Sequence, residues 1–174
     1  MLVVGMCAVL VGGMVNPQAS AQARTFVSFV PMNTVVVQPG HSAPVEFTFR
    51  VESGYHINSN TPTTEELIPT QLHFSLPGEI AVGKVQYPAG QLMSFPFDPT
   101  QKLSVYSGGV TIRAVVVAPA GAAPGMLTVH GELKYQACDN NACYPPKKLP
   151  MQFDVRVEKK GQKPRSKEHV LHFD

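Results

Sequence analysis

The feature that most limits what this chain can fold into is its period-two alternation of apolar and polar side chains. Val45, Phe47, Phe49 and Val51 alternate with Glu46, Thr48, Arg50 and Glu52, and Leu149, Met151, Phe153, Val155 and Val157 are interleaved with Gln152, Asp154, Arg156 and Glu158. Successive side chains of a strand point to opposite faces, so this pattern gathers the apolar groups on one face only if the backbone is extended. A slip of one residue would turn either set out to water, which fixes the register as well as the structure type. Less regular strands are predicted at 33–38, 71–76, 79–87, 102–106, 109–118 and 126–136, punctuated by Pro39-Gly40, Pro77-Gly78, Ser107-Gly108-Gly109 and Pro124-Gly125. About eight short strands with 14 Gly and 16 Pro predict an all-β fold, an immunoglobulin-like two-sheet antiparallel sandwich. The stretches Ser53 to Thr70 and Pro88 to Gln101 lack the alternation and are predicted to be loops or extended arms, where a rigid sandwich usually carries its binding groups.

The 174 residues suit one domain. Charged residues make up 15% and the net charge is +2, too little for the electrostatic footprint of a phosphate-backbone binder, so nucleic acid is not an expected partner. The first 15 residues are apolar and uncharged and lead into NPQASAQA, whose small residues suit a signal peptidase. Residues 1–23 are therefore expected to be a signal peptide cut after Ala23. The folded domain is expected over 24–158, with a basic, solvated tail over 159–174. No later apolar run approaches the roughly 20 residues that a spanning helix needs, so the folded part is expected to be soluble. Cys7 would leave with the leader, and the remaining pair, Cys138 and Cys143, would lie in a compartment where disulfides persist.

That pair is the chain's main chemical candidate. Cys138-Asp139-Asn140-Asn141-Ala142-Cys143 closes a small ring at the end of a predicted strand. A loop of this length supplies only about 2 kcal/mol in the chain-entropy model, so the ring is either a modest staple or an accessible redox switch. The residues alone leave the two open: Asp139 would raise a thiolate's pKa, and Lys134, Lys147 and Lys148 would lower it if they fold nearby. The spacing is not Cys-x-x-Cys, and no βαβ pattern surrounds it.

Tyr135-Gln136-Ala137-Cys138, with Cys143-Tyr144-Pro145-Pro146, resembles the N-terminal periplasmic domain of the thiol:disulfide interchange protein DsbD family. Gly54-Tyr55-His56-Ile57-Asn58-Ser59-Asn60 and Leu67-Ile68-Pro69-Thr70 carry the similarity upstream, so that it spans about Val35 to Val157. The four residues between the cysteines compare with five in some members. The resemblance implies an immunoglobulin-like periplasmic domain, a protein-disulfide reductase type of electron carrier, that takes electrons from a membrane-embedded donor and passes them to thioredoxin-like proteins. By position Cys143 would exchange with partners and Cys138 would resolve the mixed disulfide, with Tyr135 and Tyr144 flanking the site. The family shields its disulfide with an aromatic cap loop, and Ser94-Phe95-Pro96-Phe97-Asp98-Pro99 occupies the comparable stretch, making Phe95 and Phe97 the cap candidates. Thiol–disulfide exchange runs through a covalent mixed disulfide, so neither a cofactor nor a metal is expected.

The six histidines are scattered, and their spacing supports no metal site. No Gly-x-Ser-x-Gly, Walker loop or His-Glu-x-x-His is present. The competing function is a secreted immunoglobulin-like binding module whose disulfide is purely structural. Sandwiches host both, so the discriminating property is whether the cysteine pair cycles.

Overall fold

The structure, a computed structural model, describes residues 25–78 and 80–159. The expected leader lies outside the described residues, as does the expected tail beyond Lys159. Among the described residues there are twelve strands: β1 (Val27–Phe29), β2 (Val35–Val37), β3 (Ser42–Val51), β4 (His56–Asn58), β5 (Gln71–Ser75), β6 (Ala81–Val82), β7 (Gln91–Phe95), β8 (Asp98–Tyr106), β9 (Gly109–Val117), β10 (Gly125–Tyr135), β11 (Ala137–Cys138) and β12 (Lys147–Val157). They form three four-stranded sheets, ordered β1-β3-β9-β6, β2-β12-β10-β5 and β11-β4-β8-β7.

The first two sheets are the immunoglobulin-like sandwich, and the alternating segments build its interior. Val45, Phe47, Phe49 and Val51 of β3 are buried, as are Met151, Phe153, Val155 and Val157 of β12. Phe47 joins the two layers, its ring 5.0 Å from Phe153 edge-on and 5.3 Å from Phe74. Truncating such a ring to alanine typically costs about 3 to 5 kcal/mol.

The expectation of purely antiparallel pairing needs one correction: β2 runs parallel to β12, with Val35, Val36 and Val37 opposite Val155, Arg156 and Val157. The chain leaves β1 in one sheet and enters β2 in the other through Val30 to Thr34. It therefore makes no hairpin there that would impose the antiparallel sense. Two expected segments also differ. The 79–87 strand shrinks to Ala81–Val82 plus a single bridge from Gln86 to Arg113, and the expected arm over 88–101 contains most of a hairpin, β7 and β8.

The third sheet extends one end of the sandwich. β4 continues from β3 through a turn at Gly54 (φ 83°), β8 enters β9 through Gly108 (φ 63°), and β11 follows β10 after Gln136. Both glycines hold a left-handed backbone that other residues adopt only with strain. Three long core strands thus deliver segments to one place, and one of those segments, β11, carries Cys138.

Candidate functional site

Cys138 and Cys143 face each other across a tight hairpin and are joined by a disulfide, with Cα atoms 3.9 Å apart. Backbone bonds close the ladder on both sides: Asp139 N donates to Ala142 O at 2.9 Å and Tyr144 N to Ala137 O at 2.8 Å. The cysteines are therefore the narrow, non-hydrogen-bonded type of antiparallel pair. Asp139 organises the loop between them. Its Oδ1 accepts from the amides of Asn141 (2.7 Å) and Ala142 (2.9 Å), and its Oδ2 from the Tyr144 hydroxyl (2.7 Å). The tyrosine hydroxyl, then the two amides, hold the Asp139 carboxyl below its usual range, and the same bond pushes the Tyr144 phenol up to about 12.

The two sulfurs are placed unequally. Cys143 is exposed, whereas Cys138 is fully buried. On its other side Cys138 pairs with His56 of β4, so Cys143, Cys138 and His56 stand in one row across three neighbouring segments, all on one face. His56 is 4% exposed, and its ring lies on Phe95 with centroids 3.9 Å apart and planes at 14°. Burial lowers the imidazole to about pKa 4, the Asp139 charge opposing the shift. Its Nε2 is buried without a hydrogen-bond partner.

The cap candidates lie on the β7–β8 hairpin. Phe95 ends β7 and is buried in a small second core with Leu103, Val105 and the partly buried Leu67. Phe97 sits in the turn, 38% exposed, its ring parallel to Phe95 at 5.5 Å. The expected loop is thus a paired hairpin: residues 91–95 lie along 98–105 with an irregularity at Ser94/Phe95, and only Pro96 and Phe97 form the turn.

The flanking tyrosines separate. Tyr144 joins Phe26 (4.7 Å) and Tyr55 in an aromatic group beside Cys143, and the Phe26 and Tyr55 rings are 4.8 Å apart. Tyr135 is buried in the sandwich core. Of the lysines considered as thiolate stabilisers, Lys148 is paired with Glu132 at 2.8 Å and Lys147 lies over the Phe26 ring at 5.2 Å.

Gln136 ties the cysteine hairpin to the 53–70 segment. Its Oε1 accepts from Asn58 Nδ2 (3.1 Å) and Ile68 N (3.3 Å), and its Nε2 donates to Tyr144 O (3.2 Å). Asn58 Nδ2 also donates to Ile68 O at 3.0 Å, and Thr70 Oγ1 donates to Asn58 O at 2.6 Å. Sequence reasoning on single residues assigned no role to His56, Asn58, Gln136 or this use of Asp139. An Asp opening a short loop is a recognisable Asx-turn former. His56 had no such local mark, because its place beside Cys138 is set by strand pairing 82 residues apart.

The sequence profile of the family described as thiol:disulfide interchange protein DsbD, N-terminal, matches residues 26–154. No protein of curated function matches the chain. Among solved structures, the reduced N-terminal domain of DsbD from Neisseria meningitidis is 18% identical, with a TM-score of 0.41, covering 65% of this chain and 76% of that one. The N-terminal periplasmic domain of ScsB from Proteus mirabilis is 9% identical, with a TM-score of 0.45, over 75% of this chain and 51% of that one. A family 123 glycoside hydrolase from Clostridium perfringens also aligns, at 14% identity and a TM-score of 0.36, over 74% of this chain and 23% of that one. With the profile spanning the sandwich and its cysteine hairpin together, this chain belongs to the family of the N-terminal domain of the thiol:disulfide interchange protein DsbD.

Proposed function

We propose that the domain is an exported dithiol–disulfide carrier in which Cys143 meets the partner and Cys138 resolves the mixed disulfide. The supporting observation is the inequality of the two sulfurs: Cys143 is exposed and Cys138 is fully buried. In the reduced protein the Cys143 thiolate attacks the disulfide of a thioredoxin-like partner, and one partner sulfur leaves as a thiolate. Cys138 then attacks Cys143 Sγ, the intermolecular bond breaks, and the second partner thiolate leaves. The carrier's dithiol is oxidised to the disulfide while the partner's disulfide is reduced. A membrane-embedded donor would restore the dithiol. Residues 1–23 serve as the leader that brings the domain, residues 24–158, to the periplasm, and the hairpin bearing Phe95 and Phe97 acts as the cap.

Two measurements test this reading. Equilibration against glutathione or thioredoxin buffers should give a potential above about −300 mV, below which structural disulfides tend to lie. Cys138→Ser should trap mixed disulfides with thioredoxin-like proteins through Cys143. Trapping by Cys143→Ser alone would reverse the roles, and a lower potential with no exchange would leave the disulfide a staple in a binding module.

A further inference from the structure

We infer that His56 is the proton acceptor of the buried cysteine: its Nε2 takes the Cys138 thiol proton as that sulfur attacks Cys143. The geometry begins with the ladder, which sets His56 and Cys138 directly opposite each other on one face, where side chains of such a pair start about 5 Å apart. The imidazole carries a buried Nε2 with no partner while the disulfide is closed. Reduction breaks the bond between the sulfurs and turns both into S–H groups, so the orphaned nitrogen gains in Cys138 a neighbour able to donate to it.

A resolving thiol that is fully buried is in particular need of such a neighbour. Hydroxide and bulk water have little access to Cys138, and burial disfavours its free thiolate. In the step inferred, the Cys138 proton moves to Nε2 and the Cys138 Sγ–Cys143 Sγ bond forms. The bond from Cys143 to the partner sulfur breaks, and the partner leaves as thiolate. The imidazolium then returns its proton to water. The flat stack on Phe95 fixes the ring's plane and shields one face of it. Among the described residues the charge acting on His56 is that of Asp139, which Tyr144 and two loop amides hold ionised, and the opposing β7 contributes an apolar ring.

The direction of electron flow rests on the carrier reading, but the place of the proton does not, and two measurements keep them apart. The first follows the His56 ring by NMR in the full domain, oxidised and then reduced by dithiothreitol. Its titration should shift between the two states, and an identical titration in both would overturn the inference whatever the protein's partners are. The second mixes reduced protein with a chromogenic aryl disulfide, which releases one aryl thiolate on attack by Cys143 and a second on resolution by Cys138. His56→Gln should leave the first release unchanged and slow the second roughly 100-fold, within the range for a positioned base. The second release should also change from nearly pH-independent to about tenfold per pH unit around neutrality. A second release of unchanged rate, or one slowed with unchanged pH dependence, would assign His56 to packing alone.

Discussion

The ring of Phe95 lies flat on the imidazole of His56, with 3.9 Å between centroids, and through that contact the tip of the β7–β8 hairpin reaches the row that holds the disulfide. The hairpin covers the inner, buried end of the row. At the outer end Cys143 stays exposed, bordered by Tyr144 and its aromatic neighbours. With the roles proposed for the two cysteines, a cap built this way would guard the resolving sulfur and its histidine more than the sulfur that meets partners.

Phe95 and Phe97 should therefore behave differently when shortened. Phe95→Ala removes a buried ring from the small core with Leu103 and Val105 and should cost about 3 kcal/mol, while speeding reduction of the disulfide by dithiothreitol several-fold. Phe97→Ala should cost less than about 1 kcal/mol, because that ring is more than a third exposed. Chemical denaturation and the kinetics of thiol reduction check both. Unchanged kinetics in Phe95→Ala would leave the hairpin without a guarding role.

Asp139 and Tyr144 form a pair that can be read spectroscopically. Asp139→Ala removes the carboxylate that raises the phenol to about 12, so the Tyr144 titration should fall back toward the ordinary value near 10. It also frees the Asn141 and Ala142 amides, which should loosen the loop and raise hydrogen exchange there. An unshifted phenol titration would show that the bond to Asp139 does not govern it.

His56 should make the fold sensitive to mild acid. Its pKa is lowered from 6.5 to about 4 in the folded chain, so between those values the unfolded chain binds a proton that the folded one does not. Its contribution is fully present above about pH 6.5 and is lost progressively as pH falls toward about 4. The depressed carboxyl of Asp139 acts in a lower window: its contribution is present above the ordinary carboxylate pKa and is lost as pH falls through the folded value. The urea midpoint of wild type should therefore rise more between about pH 5 and about pH 7 than that of His56→Phe, which lacks the titrating group. Equal pH dependence in the two would remove His56 as the cause.

What the sequence made legible follows from the range of the interactions concerned. The strands holding Phe47, Phe49, Phe153 and Val155 could be read because strand alternation is local. The cysteine ring was equally local. The direction of β2, the hairpin form of residues 91–105 and the neighbourhood of His56 depend on partners far along the chain. Phe95 and Phe97 drew attention as a pair, but their unequal burial was invisible, since only the fold decides which side of Pro96 faces Leu103.

Gly90 shows how closely the hairpin is seated, and it gives the last prediction. A Cβ added there would overlap Ser104 Oγ and lie 2.8 Å from Ser59 Cβ, while the two serine hydroxyls share a 2.8 Å hydrogen bond inside the protein. Gly90→Ala must either break that bond, taking from the buried Ser104 hydroxyl its Ser59 partner, or push β7 outward. Overpacking and a lost buried partner each cost about 1 to 3 kcal/mol, so a loss of roughly 2 to 4 kcal/mol is expected. Pushing β7 outward would also lift Phe95 from His56, so the disulfide should become more easily reduced. Pairing the change with Ser104→Ala removes the overlapping oxygen and should recover part of the loss, which a double-mutant cycle would register as coupling between the two positions. A Gly90→Ala variant within about 0.5 kcal/mol of wild type, with unchanged thiol kinetics, would show that the hairpin can move aside without disturbing the row beneath it.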